Sequence, residues 1–371
     1  MQLNQAAGAL LAASMSLPAV QPASAQVAPD EGTVSVKWLD YLDSQPGANR
    51  VRIRAPSVTA AVPVAGSWLL SGTLISDAIS GASPAYHTRA LTPLTDERNA
   101  ADLGVTRYFD GAALTLGANY SKESDYVGRG VSARYAFSSD DRNTTWTIGG
   151  SLGRDSVRPN NRIVENESKR RSEWLAGVSR VLTPLDVVQI NIGQGRSSGY
   201  LSDPYKTFDE RPRTRRQDTL SVRWNHAVEP FDAALRTSWR HTRDTWGIRS
   251  HTLTAEWVQP VAGAWTVTPA LRLYTQNAAR FYVDADGDLE SPFPPNPPED
   301  AIHYSEDQRL SAFGAVTLGL KVARQLAGGW SVDVKVERYV QRGDWRWFGS
   351  GSPNLAEFRA RTVIVGVNKT F

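Results

Sequence analysis

The sequence ends in "TVIVGVNKTF", residues 362–371, which places a large aromatic side chain at the last position. Chain termini are usually disordered unless something fixes them, so a terminal aromatic indicates an end that is packed or embedded in a membrane. Side chains alternate between the two faces of a strand, and one face here is apolar while the other is mostly polar. The apolar face consists of Val363, Val365, Val367 and Phe371.

The same alternation recurs along the chain in segments of about ten residues. In "GWSVDVKVE" the residues Trp330, Val332 and Val334 share one face, and Ser331 and Asp333 share the other. Comparable segments occupy residues 112–120, 130–138, 144–152, 219–225 and 264–273. A soluble β-sandwich with one wet face would give this pattern too, so the connections between the segments decide the fold.

These connections alternate in length. The candidate strands begin near residues 33, 50, 67, 99, 112, 128, 143, 172, 185, 217, 231, 248, 264, 308, 329 and 358. The long connections are residues 79–98, 154–171, 196–216, 284–307 and 341–357, and they all fall at one end of the strands. Short periplasmic turns and long extracellular loops are typical of outer-membrane barrels. We therefore predict an all-β fold, a closed antiparallel transmembrane β-barrel of about 16 strands, with 14 or 18 as alternatives.

Charged residues of the strands fall on the face opposite the apolar one. A Lys or Arg at the lipid midplane costs about 2–4 kcal/mol, so we predict that the charged face lines the lumen. The predicted lumen-lining residues are Arg134, Arg223, Glu256, Arg272, Lys321, Asp333, Lys335 and Glu337. Acidic and basic residues mix on this face, so no sign dominates. Tryptophans and tyrosines near strand ends, among them Tyr126 and Tyr339, suit two aromatic girdles.

The chain start resembles an export signal. A short apolar stretch precedes Ala23, Ser24 and Ala25, which form an A-x-A cleavage pattern. We expect residues 1–25 to be a signal peptide and residues 26–371 to form the barrel in the outer membrane of a Gram-negative bacterium.

The composition excludes some functions. The 41 basic and 38 acidic residues nearly balance, which argues against nucleic-acid binding. The sequence has no cysteine, so it cannot itself hold a c-type haem or a cysteine-ligated cluster.

Several motifs occur in a fixed order: "LISDAISGASPAYH", "DERNAADLGVTRYFD", "YSKESDY", "NTTWTIGGSLGRD", "LSDPYK" and "AARFYVD". This order resembles the bacterial outer-membrane family catalogued as domain of unknown function 3570, from about residue 33 to the C-terminus. The resemblance implies a barrel. It also implies a link to extracytosolic electron transfer, because flavin transferases and thioredoxin-like proteins are often encoded nearby. The terminal Phe371 with its alternating valines likewise resembles the signal read by the barrel-assembly machinery.

Acidic residues cluster in the predicted loops, where carboxylates can bind Ca²⁺ or bridge lipopolysaccharide phosphates through divalent ions. Asp284, Asp286 and Asp288 in "DADGD" imitate the start of a calcium loop, although the glycine and the closing glutamate are misplaced. A solvated turn is the favoured alternative.

The segment "SGASP", residues 80–84, is either a surface turn or a loop that folds inward. His241 and His251 lie equally far from Trp246, so a cross-strand pair is expected, either as a metal site or, preferably, as plain interfacial residues.

We expect a channel of unknown substrate that contacts outer-membrane lipid and lipopolysaccharide. One alternative is a barrel that serves as a sleeve for a periplasmic or extracellular redox partner bearing flavin or haem. Another is a non-conducting structural barrel. No nucleophile elbow, zinc-protease motif or phosphate-binding loop occurs in the sequence, so we expect no enzymatic activity.

Overall fold

The computed structural model describes residues 27–84, 91–206, 209–284 and 300–371. Most of these residues belong to one antiparallel sheet. Its strands are β1 (Thr33–Gln45), β2 (Ala48–Val64), β3 (Trp68–Pro84), β4 (Leu91–Phe109), β5 (Ala112–Lys122), β6 (Tyr126–Ser138), β7 (Thr144–Val157), β8 (Glu167–Thr183), β9 (Asp186–Gly199), β10 (Thr214–Val228), β11 (Ala233–Asp244), β12 (Arg249–Val261), β13 (Trp265–Gln276), β14 (Phe313–Gln325), β15 (Trp330–Arg342) and β16 (Phe358–Thr370). Among the described residues, no helix is both long enough and apolar enough to span a membrane.

The sheet closes on itself. Each strand pairs with its neighbours in sequence, and β1 pairs with β16. The seam continues past the strand ends, because Gly32 N donates to Phe371 O at 2.7 Å and Phe371 N donates to Gly32 O at 2.9 Å. Phe371 is therefore held in the ladder, and its ring covers Gly32 so closely that an added Cβ would lie 2.8 Å from the ring.

The prediction of a closed barrel with about 16 strands is confirmed. One predicted loop is wrong in detail, because β3 and β4 extend into residues 79–98. These extended ends continue the antiparallel ladder, with Asp77 opposite Arg98 and Ser80 opposite Thr95. The segment at residues 80–84 is therefore part of a strand and neither a turn nor an inward loop.

The two faces of the wall differ in polarity. Large apolar side chains stand exposed on the outer face, among them Leu103 at 65% and Leu152 at 64% exposure. The shortest strand, β5, has 11 residues. At about 3.3 Å per residue and a tilt of about 40°, that strand rises roughly 28 Å, enough for the apolar band of an outer-membrane barrel.

The two ends of the barrel also differ. The links β2–β3, β4–β5, β6–β7, β8–β9, β10–β11, β12–β13 and β14–β15 are short turns, and they share one end with the seam of Gly32 and Phe371. Outward aromatic side chains surround this short-turn end: Trp68, Phe109, Phe137, Trp146, Trp224, Phe231, Trp265 and Trp330. Two predicted girdle residues do not belong to a girdle. Tyr126 faces the lumen, where its hydroxyl bonds Asp155, and Tyr339 packs against the inner wall.

Candidate functional site

The opposite, long-loop end of the barrel is crossed by two links. The β9–β10 link (residues 200–213) and the β13–β14 link (residues 277–312) are joined by a short antiparallel bridge. In this bridge Glu210 N donates to Tyr304 O and Tyr304 N donates to Glu210 O, both at 2.8 Å. We call the described residues of these two links the loop cap.

The loop cap reaches the far wall of the barrel. In the ring of 16 strands, β9 lies eight strands from β1, so a contact from the β9–β10 link to β1 must cross the mouth. Tyr205 makes a contact of this kind, because it packs against an apolar cluster on the inner face of the adjacent strands β1, β2 and β16. That cluster contains Leu39, Tyr41, Val51, Ile53, Ala55, Ala360 and Ile364. The β13–β14 link also reaches β1, which is three strands from β14 in the ring, since Gln45 Nε2 donates to Gln308 Oε1 at 3.2 Å.

Buried ion pairs hold the two links together. Arg211 Nη2 donates to Asp307 Oδ2 at 2.8 Å, and Arg309 Nη2 donates to Asp203 Oδ2 at 2.9 Å. Asp307 is 0% exposed and also accepts from Arg309 Nε at 2.9 Å. Although burial alone would raise the pKa of Asp307, the charge of Arg309 and its basic neighbours holds that pKa well below the usual range. The carboxylate is thus ionised, and it matches the guanidinium groups on both links.

A small apolar core supports the cap from the side. Leu201 and Leu310, one from each link, pack with Trp246, Ile248 and Ala279. Trp246 Nε1 also donates to Thr214 O at 3.0 Å, which satisfies the one polar atom of the buried indole ring. The links therefore carry their own hydrophobic contacts as well as their ion pairs.

Three carboxylates meet beside the cap. The oxygens of Asp96, Glu123 and Asp125 lie within 4.8 Å of one another. Burial, reinforced by the charge of Asp125, raises the pKa of Glu123 to about 7. Tyr205 Oη donates to Asp125 Oδ2 at 2.5 Å, so the cluster is tied to the cap. Carboxylate oxygens are ligands that Ca²⁺ accepts, and with one oxygen from each residue the cluster supplies three of the six to eight ligands that the ion takes.

The calcium loop predicted from sequence is only partly described. Asp284 is half-buried at the end of the described part of the β13–β14 link, where burial raises the pKa of its carboxyl group. Asp286 and Asp288 lie outside the described residues. Calcium at this segment stays a prediction.

The eight predicted lumen-lining residues alternate along their strands with the exposed apolar side chains and so lie on the opposite face. Arg134 stands opposite Thr115, Arg223 opposite Ser238, Glu256 opposite Arg236, and Arg272 opposite Thr254. The other four form ion pairs on β14 and β15, with Lys321 Nζ 4.0 Å from Asp333 Oδ2 and Lys335 Nζ 2.9 Å from Glu337 Oε1. Val363, Val365, Val367 and Phe371 lie on the outer face, and Val365 and Val367 pair with Trp38 and Val36 of β1.

His241 and His251 are direct cross-strand neighbours, as their equal distance from Trp246 in the sequence predicts. His241 pairs with His251, and their ring centroids lie 4.5 Å apart. Trp239 stacks near both rings on the outer face. The pair therefore belongs to an outer aromatic stack and has no part in the loop cap.

Sequence reasoning missed the residues that form the cap. Tyr205, Arg211, Asp307 and Arg309 lie in links without periodicity, so no pattern marks them as buried. One available signal was the alternation of opposite charges in "FDERPRTRR" and "SEDQR", which suits two segments that neutralise each other.

Several solved structures are similar to this chain. A bacterial polysaccharide outer membrane secretin has 8% identity and a TM-score of 0.51, with 92% of this chain and 97% of that chain covered. The loop L8 deletion mutant of OmpT from Vibrio cholerae has 10% identity and a TM-score of 0.47, covering 92% and 100%. The siderophore receptor PirA from Pseudomonas aeruginosa has 8% identity and a TM-score of 0.47, covering 93% and 81%.

Sequence comparison is more specific. Curated proteins give no matching sequence. The family described as protein of unknown function (DUF3570) matches residues 85–361, which is well over half of the chain. The protein therefore belongs to the DUF3570 family, and its fold is a closed 16-strand β-barrel of the outer-membrane type.

Proposed function

We propose that the protein is a channel in the outer membrane of a Gram-negative bacterium, closed at rest by the loop cap. The short turns would face the periplasm and the long links would face outward, as is usual for such barrels. The observation that carries the proposal is the contact of Tyr205 with the inner wall of β1, β2 and β16, on the far side of the barrel. A purely structural barrel has no need to draw two links across its own mouth.

The wall suits a channel. Closure of the sheet leaves no unpaired backbone edge for lipid to meet, and the outer face is apolar. Sixteen strands enclose an aqueous lumen, and its wall carries ion pairs between β7 and β8, between β10 and β11, and on β15. A diffusing solute would therefore meet a polar path below the cap.

The test compares single-channel conductance of the refolded protein with that of a trimmed variant. In the trimmed variant, a short Gly-Ser turn replaces residues 278–311 of the β13–β14 link. Circular dichroism and heat-dependent gel migration establish that both proteins fold as barrels. We expect rare or brief openings from the native chain and large, steady openings from the trimmed one.

Each other outcome has a definite meaning. Large, steady openings of the native chain would keep the channel and refute closure by the cap. A folded trimmed barrel that never conducts would overturn the channel. If the native chain then copurifies with a flavoprotein or cytochrome, the sleeve for a redox partner replaces the channel; without such a partner, the structural barrel does.

A further inference from the structure

Three arginines lie close together on the inner wall below the cap. Arg223 on β10 stands opposite Ser238, and Arg240 on β11 is two residues further along the same face. Arg272 on β13 stands opposite Thr254, which itself pairs with Ser238. The positive charges of Arg223 and Arg272 both act on Arg240. We call Arg223, Arg240 and Arg272 the arginine patch.

Most other lumen charges of the described wall are paired, and the patch is not. Ion pairs join Arg98 to Asp77, Arg171 to Asp155, Arg215 to Asp244, Lys321 to Asp333 and Lys335 to Glu337. Within the described residues, no carboxylate lies within 4.0 Å of an Arg223, Arg240 or Arg272 nitrogen. Glu256, on the same face, stands opposite Arg236 and Ala270 in the strand registers.

The neighbours of the patch are hydroxyl groups. Arg240 lies between Ser221 and Thr252 in the cross-strand registers, and Arg272 lies between Thr254 and Thr317. Hydroxyls donate hydrogen bonds to anionic oxygens, and guanidinium groups bind carboxylate and phosphate in a bidentate manner. Like charges grouped on one side of a low-dielectric wall also focus an attractive potential for anions.

We propose that the arginine patch is a binding site for small anions that carry carboxylate or phosphate groups, and that it gives the channel its preference for anions. Binding of the anion relieves the mutual repulsion of the three guanidinium groups. The site lies below the cap, so it is reached from the short-turn end. The selectivity rests on the proposed channel function; the binding does not.

Binding is tested first, without conduction. Citrate and, separately, inorganic phosphate are titrated by calorimetry into the refolded native chain in a neutral detergent at low ionic strength. The test variant is R223Q/R240Q/R272Q, which breaks no ion pair and should keep the fold. The matched control is Arg134→Gln, because Arg134 is also a lumen arginine but stands opposite Thr115 and Gly149, away from the patch. A second variant, R223K/R240K/R272K, keeps the charge and removes the bidentate geometry.

We expect citrate to bind the native chain and R134Q with similar affinity. The glutamine variant should bind at least tenfold more weakly, and the lysine variant should fall between them. Equal binding by the glutamine and native chains, or an equal loss in R134Q, would overturn the proposal. Binding of phosphate alone would restrict the ligand class to phosphates.

Selectivity is tested second, in the trimmed channel under a KCl gradient. The reversal potential of the trimmed channel should lie toward the equilibrium potential of Cl⁻, which indicates a preference for anions. In the glutamine variant it should shift toward the equilibrium potential of K⁺, whereas R134Q should stay much closer to the native value. An unchanged reversal potential would overturn the selectivity. A channel that stays silent while citrate binding depends on the patch would refute the channel and leave the anion site standing.

Discussion

The substitution Asp307→Ala should release the loop cap. It removes the carboxylate that accepts from Arg211 and Arg309, and Arg211 is only 7% exposed at its side chain. Removing one partner of a buried ion pair costs about 3–5 kcal/mol, because the remaining charge is left without compensation. At 1.4 kcal/mol for each factor of ten, the open population of the cap should rise by roughly two to four orders of magnitude.

Native-state hydrogen exchange measures this opening directly. The amides of Glu210 and Tyr304 form the bridge between the two links, so their protection should fall by that factor in D307A. The control is Asp110→Ala, which also loses an arginine partner, Arg142 at 3.6 Å, but on a fully exposed side chain. Surface pairs of this kind contribute little, so D110A should leave exchange unchanged. If D307A keeps native protection at both amides, the reasoning that the ion pairs hold the cap is wrong.

Three further predictions concern the cap and the seam. Burial and the charge of Asp125 raise the pKa of Glu123 above its ordinary 4.5 to about 7, so the folded state favours the protonated carboxyl group. The contribution of this group to the free energy of unfolding should be fully present below pH 4.5 and be lost as the pH rises through 7. Unfolding midpoints measured against pH should show this slope in the native chain and lose most of it in E123Q. Tyr205→Phe removes the hydroxyl that donates to Asp125 and accepts from Asn160 N at 3.0 Å, so exchange at Asn160 should accelerate by roughly fivefold, which corresponds to about 1 kcal/mol; unchanged exchange would contradict the contact. Deleting Phe371 removes both hydrogen bonds to Gly32 and should lower the yield of heat-modifiable barrel in refolding assays, whereas Phe371→Tyr should not.

The strands could be predicted because their constraint is local. Residues that face outward are apolar and residues that face inward are polar, and the two alternate along each strand. A segment such as residues 329–337 is therefore recognised as a strand from its own sequence. The extended ends of β3 and β4 could not be predicted, because outside the apolar band neither face of a strand has to be apolar and the alternating pattern is lost. Asp77 and Arg98 pair across them as an ion pair instead.

The cap and the arginine patch escaped prediction for a different reason. Tyr205 is buried by a wall that lies far from it in sequence, and nothing in its own link encodes that contact. The sequence pattern predicted that acidic and basic residues mix on the lumen face, but it did not show which of them form ion pairs. Lys321 reaches Asp333 diagonally across β14 and β15, whereas Arg240 reaches no carboxylate in the described wall. Such differences depend on register, which alternation alone does not provide.

The seam between β1 and β16 has a consequence for folding kinetics. Every other strand pair joins neighbours in sequence, but Ser35 and Asn368, which share a hydrogen bond of 2.6 Å, are 333 residues apart. Contacts at such separation form slowly, because the chain entropy of closing the loop must be lost before the contact stabilises anything. Hairpins can form early and in any order, yet the ring exists only once this last pairing is made. The rate of barrel formation should therefore respond to substitutions in β1 and β16 far more than to equally destabilising ones in the middle strands.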